Sequence, residues 1–311
     1  MVKVLVFGAT GFIGFSVAQA LARSGHETFG LYRKIEKTKE LTRNEIEGNK
    51  IITFFVVFPV LGDTGDVSTW ISTAEQVDVI IDTTSPGNEP VKHNKIILDA
   101  VFEIGKKRLE NNEPKLTFIS TTGTWVYGGH PYKIKCESTP LNTNLELVTW
   151  RPPIEQTIVE SKVINGIIIR PGAVYGKSGS LTALWFEGAI KGELCGVGSK
   201  ENRWGLVHVD DLADSFVRAV ERADIIGGQI FNIINNQSES LGDMLGAVAR
   251  ITEYKGEVKY KSPTSKFEEA MASTGIFSNK KAQSILGWKQ RQLGFVDGIN
   301  IWWNSYKAYI Q

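Results

Sequence analysis

Cysteine is scarce in this chain, with two in 311 residues, Cys136 and Cys195. They stand far apart, outside any Cys-x-x-Cys or Cys/His spacing, so neither a disulfide framework nor a metal site is indicated and a reducing compartment fits best. Net charge is nearly absent as well. Lys and Arg number 35 against 34 Asp and Glu, a formal +1, which leaves no global field for nucleic acid, an anionic membrane or an acidic partner and points to a small-molecule substrate. Long apolar runs are missing too. The longest, Ile51 to Leu61, is interrupted by Thr53 and Pro59 and is too short to span a bilayer. Met1 leads directly into Val2-Lys3-Val4-Leu5-Val6-Phe7, which leaves no room for a signal peptide, so a cytoplasmic protein is expected.

What is present is alternation. Short apolar runs at 2–7, 27–32, 51–58, 78–82, 115–120 and 166–170 read as strands buried on both faces. Segments of helical period lie between them. The first carries Ile13, Val17, Ala20 and Leu21 on one stripe; the longest, near 91–110, carries Ile97, Ala100, Val101 and Ile104. The pattern predicts an α/β fold, a Rossmann-type doubly wound parallel sheet with a smaller C-terminal α/β lobe. We expect the sheet domain over 1–175, with a long active-site loop at 123–151, and the substrate lobe over 176–311, elements of the two interleaving near 206–235.

Val6-Phe7-Gly8-Ala9-Thr10-Gly11-Phe12-Ile13-Gly14 joins the first strand to the first helix, its glycines three apart. In that context Gly8 permits the tight turn, Gly11 lets backbone approach a pyrophosphate and Gly14 lets the helix pack close. Amides at the helix start then face the anion. The competing reading is an unliganded turn. The second strand ends in Arg33 and Lys34, with no acid to accept a ribose 2′-hydroxyl. A basic pair there favours a 2′-phosphate, so NADP is expected, with NAD as the alternative cofactor; a solvated basic face is the competing reading.

Further stretches extend the pattern: Ile119-Ser120-Thr121-Thr122 running to Val126-Tyr127-Gly128, Arg170-Pro171-Gly172-Ala173-Val174-Tyr175-Gly176, Val207-His208-Val209-Asp210-Asp211-Leu212-Ala213, and Leu286-Gly287-Trp288. With the glycine turn they resemble, in order and over nearly the whole chain, the extended short-chain dehydrogenases/reductases, the NAD-dependent epimerase/dehydratase family. The resemblance implies cofactor contacts from Gly8, Thr10, Gly11, Phe12 and Ile13 at the phosphates, Asp63 at the adenine, and Thr83, Thr84 and Ser85 beside the riboses. It also implies contacts from Ser120 and from Pro171, Gly172 and Val174 beside the nicotinamide. Thr122 matches the Ser/Thr that binds a substrate carbonyl or hydroxyl. His208 to Ala213 match the start of a helix, with Asp210 expected to cap it. Family habit implies a homodimer paired through the helix near 91–110.

One part of the pattern is missing. Relatives carry Tyr-x-x-x-Lys four residues before a Glu, and Glu155-Gln156 sets that register here, placing Leu147 at the Tyr position and Arg151 at the Lys position. No Tyr-x-x-x-Lys occurs anywhere in the chain. Leucine moves no proton, and arginine, with a pKa above about 12, cannot shuttle one, although its fork can hold ribose hydroxyls or phosphate. Tyr127 is the first choice for a substitute acid, although the Tyr of such a Val-Tyr-Gly is mainly architectural in relatives. Trp204 stands where sugar-nucleotide enzymes of the family carry a diphosphate-gripping Arg. The expected substrate pocket is Tyr132, Tyr175, Lys177, Arg203 and Trp204. The expected function is NADP(H)-dependent reduction of a small carbonyl compound or oxidation of its alcohol. The alternatives are a noncatalytic NADP(H)-dependent sensor and a sugar-nucleotide epimerase/dehydratase.

Overall fold

Val4 to Phe7 are fully buried, as a central parallel strand covered on both faces must be. They belong to the first element of a computed structural model that describes residues 1–33, 57–85, 87, 89–141, 143–178 and 181–310. In chain order the main elements are β1 (Lys3–Phe7), α1 (Phe12–Arg23), β2 (Glu27–Tyr32), β3 (Val57–Leu61), β4 (Val79–Asp82), α2 (Pro90–Glu110), β5 (Thr117–Thr121), β6 (His130–Lys135), α3 (Arg151–Val159), β7 (Asn165–Pro171), β8 (Ala173–Tyr175), α4 (Ala183–Ile190), β9 (Cys195–Val197), β10 (Arg203–His208), α5 (Val209–Glu221), β11 (Gln229–Ile233), β12 (Ser238–Ser240), α6 (Leu241–Ile251), β13 (Lys259–Lys261), β14 (Gly275–Phe277) and α7 (Ile299–Ile310). The strands expected at 2–7, 27–32, 78–82, 115–120 and 166–170 lie within two residues of observed ones. The strand expected at 51–58 falls mostly outside the described residues, where β3 begins at Val57.

The chain divides into two units. The first comprises Met1–Thr121, Pro153–Ile169 and Ala213–Ile230; the second comprises Thr122–Pro152, Arg170–Leu212 and Phe231–Gln311. The large sheet has the order β11-β7-β5-β4-β1-β2-β3, and β1 pairs in parallel with both β2 and β4. The chain therefore winds outward from β1 in one direction, then returns to β4 and winds outward in the other. That reversal opens a crevice at the carboxyl ends of β1 and β4.

In the first unit, Leu5, Phe7, Ile80, Phe118 and Ile168 from the strands share a core with Ile97, Val101 and Ile104 of α2. The stripe read at helical spacing is thus the buried face of α2. Each such aliphatic side chain, fully buried, contributes about 1.5–3 kcal/mol. Trp70, fully buried in the same core, meets Phe7 edge-on at 4.9 Å. The second unit has its own core, aromatic in character, built from Tyr175, Trp185, Phe186, Trp204, Phe295, Trp302 and Tyr306. Its small sheets are β12-β10-β8, β13-β9 and β14-β6. The segment 123–151 is not all loop as expected, because His130 to Lys135 form β6 and pair in parallel with β14.

Candidate functional site

The first unit holds a cavity of about 540 Å³ at the carboxyl ends of β1, β2, β3 and β4. Its floor is the glycine turn. Gly8 has φ +78°, a left-handed conformation open chiefly to glycine, and its carbonyl accepts the Gly11 N–H at 2.8 Å. Gly14 lies under the turn, where a Cβ would stand 2.5 Å from Thr83 Oγ1 and closer still to Gly8 O. Gly11 stands at the cap position before α1 and offers no side-chain cap, and the helix has no acidic residue in its first turn. Its first amides therefore have no partner within the helix, and its dipole favours an anion there. These features fit a dinucleotide's diphosphate.

The walls come from neighbouring strand ends. Thr83 ties the end of β4 to β1 by donating from Oγ1 to Phe7 O at 2.7 Å. Asp82 accepts from the Thr84 amide at 2.9 Å and from its hydroxyl at 2.6 Å, fixing the loop that follows. On the other side Asp63 accepts the Gly65 amide at 2.7 Å, and its second oxygen faces Arg33 Nη1 at 3.9 Å. Both partners of that ion pair are well exposed, so it adds little stability, and Arg33 remains available to a ligand.

Of the residues expected at the cofactor, Gly8, Thr10, Gly11, Phe12, Ile13, Arg33, Asp63, Thr83, Thr84 and Ser85 line this one cavity. Lys34 lies outside the described residues. Ser120 is buried on β5, outside the cavity lining. Thr64 and His93 also line the wall and were missed by sequence reading. Neither belongs to a motif, and only the folding of two loops onto the start of α2 brings them there.

The remaining candidates belong to the second unit. The Thr122 hydroxyl oxygen is buried and meets no hydrogen-bond partner among the described residues. Tyr127 is spoken for: its hydroxyl donates to Asn232 Oδ1 at 3.0 Å and accepts from Arg170 Nη1 at 2.8 Å. Burial pushes its phenol up to about 12, outweighing the opposing pull of Arg170 and Asn232. Beneath it the buried Lys135 donates to the Tyr127 and Gly128 carbonyls. Leu147 packs with Trp125 against Leu145, Val148 and Ala270. Arg151 opens α3, followed by Pro152 and Pro153 in the first turn, and its guanidinium lies over the Trp150 ring at 4.6 Å. Gly172 donates its amide to Ile233 O at 3.0 Å, Pro171 ends β7, and Val174 of β8 pairs with Val207.

In the expected substrate pocket, Tyr132 is 92% exposed and Arg203 bonds Ser238 from Nε and Nη2 at 3.0 and 2.9 Å. Trp204 is a core residue, its ring 5.3 Å from that of Trp185. Tyr175 is fully buried, donating to Leu293 O and accepting from Asn235 Nδ2, and burial drives its pKa up. Lys177 pairs with Asp210 at 2.6 Å. That pairing, and the Asp210 amide donating to His208 Nδ1 at 3.1 Å, correct the expected cap. The side chain that accepts at the start of α5 is His208, and the Asp210 carboxylate is turned to Lys177.

A doubly wound parallel sheet with a glycine turn and a nucleotide-sized cavity at its reversal point defines the Rossmann class of α/β proteins. The NAD dependent epimerase/dehydratase family matches residues 4–233, and the chain belongs to that family. Over 308 residues it is 25% identical to an uncharacterized protein of Schizosaccharomyces pombe, covering 92% of this chain and 94% of that one. Over 103 residues it is 36% identical to phenylcoumaran benzylic ether reductase 1 of Arabidopsis thaliana, 33% of this chain and 32% of that protein. Among solved structures, dTDP-glucose 4,6-dehydratase of Bacillus anthracis in complex with NAD matches with a TM-score of 0.81, covering 99% of this chain and 97% of that one. At 16% identity that likeness is one of fold.

Proposed function

We propose that this chain binds NADP(H) and reduces a small carbonyl compound or oxidises the corresponding alcohol. The observation that carries the reading is the first unit's cavity, which an uncapped helix start, a glycine turn and Arg33 line together. In this reading the amides of α1 hold the diphosphate, Arg33 pairs with the 2′-phosphate, and Thr83 to Ser85 meet the riboses. When bound, the reduced nicotinamide supplies the hydride. Thr122 binds the substrate oxygen with a hydroxyl that no group among the described residues engages. Tyr127, its hydroxyl held by Arg170 and Asn232 and its acidity suppressed by burial, serves to position the 124–127 turn rather than to donate a proton.

A small carbonyl compound is favoured over a sugar nucleotide because the position that would grip a diphosphate holds Trp204, packed on Trp185. The local likeness to a benzylic ether reductase supports reductive chemistry. A second reading, a noncatalytic sensor of the coenzyme, draws on Leu147, which fills the position of the usual acid with an apolar contact.

Calorimetry with NADPH and NADH on the wild type and Arg33→Ser tests the coenzyme assignment. A guanidinium–phosphate contact should favour NADPH by roughly 10- to 100-fold, and the variant should lose most of that preference. Equal or tighter binding of NADH by the wild type would refute it. Loss of NADPH absorbance over a panel of aldehydes, ketones and quinones separates the enzyme from the sensor, for which tight binding comes without turnover.

A further inference from the structure

His93 sits in the first turn of α2, half-buried, where its ring meets two loops of the cavity wall. Its Nε2 stands 3.2 Å from Thr64 Oγ1, on the loop after β3, and 3.4 Å from Thr84 Oγ1, on the loop after β4. The Thr84 hydroxyl commits its one proton to Asp82 Oδ1 at 2.6 Å, because a carboxylate that also receives the Thr84 amide is the acceptor there. An Nε2–H then serves both threonine oxygens as acceptors, where the other tautomer would set the Thr84 lone pair against that of Nε2. A neutral imidazole protonated at Nε2 carries its lone pair on Nδ1. Nothing among the described residues donates to that nitrogen.

We propose that His93 Nδ1 accepts the exocyclic amine of the adenine in an adenine dinucleotide, which makes His93 a determinant of base specificity. The inference deepens the coenzyme reading above and rests on it. The cavity lining offers the base apolar surface from Leu31 and Tyr32 and polar groups from Asp63, Thr64, Thr84 and His93. Among these, Asp63 already accepts from Gly65 and faces Arg33. Beside that carboxylate, whose second oxygen also has room for a donor, the imidazole nitrogen is an acceptor that no group among the described residues engages. Both threonine contacts, from separate loops, are made at Nε2, which holds the ring and leaves Nδ1 out of them.

The test is calorimetric titration of the full-length protein with NADPH and with its hypoxanthine analogue, in which a carbonyl replaces the amine. The proteins compared are the wild type, His93→Phe and His93→Asn. One hydrogen bond is worth about a three- to tenfold preference for NADPH in the wild type. His93→Phe is expected to bind the two nucleotides alike, and His93→Asn, whose amide oxygen stands near the place of Nδ1, to keep part of the preference. No preference in the wild type, or a preference that survives in His93→Phe, overturns the assignment and leaves the coenzyme reading standing. Failure of the wild type to bind either nucleotide overturns both. Should His93→Phe fail to fold, His93→Ala takes its place under the same criteria.

Discussion

Acidification from about pH 7 to about pH 5 is expected to weaken the second unit through a single ring. His208 is 4% exposed, packed at a tilt on Trp302 with centroids 4.6 Å apart and meeting Tyr175 edge-on at 5.3 Å. Its Nδ1 is already an acceptor for the Asp210 amide, so a second proton would have to enter where a donor stands. Burial pushes its pKa from 6.5 down to about 4, with Asp210 pulling the other way and Lys177 adding to the depression. The unfolded chain takes up a proton near 6.5 and the folded one does not until about 4. Stability from this group is therefore whole above the unfolded value and is lost as pH falls through the window below it. At about 1.4 kcal/mol per pH unit the full gap is worth about 3 kcal/mol, and the step from pH 7 to pH 5 about 2 kcal/mol. Urea unfolding of the wild type and His208→Asn at both pH values measures it, because the asparagine keeps an acceptor for Asp210 and cannot titrate. His26, whose buried ring nitrogens have no partner among the described residues, is lowered in the same sense by burial, but it is common to both proteins and cancels. Equal losses of stability in the two proteins would refute the reasoning.

Two substitutions probe the rest of the site. Gly14→Ala drives a Cβ into the Gly8 backbone, where the obstacle is main chain and cannot swing aside; it should cost about 1–3 kcal/mol or more in denaturant unfolding and weaken NADPH binding, and wild-type behaviour would mean that α1 does not pack on the turn. Tyr127→Phe removes the acceptor for Arg170 and the donor to Asn232, so it should cost about 1–3 kcal/mol of stability and change turnover by less than about tenfold; a loss of about 10²- to 10⁴-fold would make Tyr127 the acid after all.

The sheet was legible because strands buried on both faces must be apolar almost throughout, and Val4 to Phe7 or Ile167 to Ile169 admit no other reading. The glycine turn was legible for a related reason, since a left-handed Gly8 and a sub-contact Gly14 leave little choice of residue. β6 escaped notice. In His130-Pro131-Tyr132-Lys133-Ile134-Lys135 the alternation runs against burial, with Tyr132 and Ile134 exposed and Lys135 buried, and what makes it a strand is a parallel partner about 140 residues further on and a lysine buried by donating to two carbonyls. His93 was invisible for the same kind of reason. A lone histidine in a helix's first turn carries no signal until the ends of β3 and β4 fold over it. The exchange of cap between Asp210 and His208 depends on Lys177, which local sequence rules do not weigh.

The two units also differ in how they use their polar side chains, and that difference bears on the missing acid. In the first unit the cavity lining has groups left without strong partners among the described residues: bare amides at α1, Arg33 only loosely paired, and a histidine nitrogen with no donor. In the second, the groups that could have replaced a Tyr-x-x-x-Lys pair are engaged within the unit. Tyr127 holds Arg170 and Asn232, Tyr175 holds Leu293 and Asn235, Lys135 caps two carbonyls, and Arg151 covers Trp150. Thr122, whose hydroxyl has no partner among the described residues, is different, and a hydroxyl can orient a carbonyl but is a weak acid. Such a division suits chemistry in which the coenzyme does the reducing and the protein mainly orients, because positioning alone supplies much of the acceleration while a protein acid adds about 10²- to 10⁴-fold. Slow turnover on an activated carbonyl, with a rate that rises as the substrate becomes more electrophilic and is insensitive to the ionisation of either tyrosine, is the behaviour this arrangement predicts. A bell-shaped pH profile with a basic limb removed by Tyr127→Phe or Tyr175→Phe would contradict it.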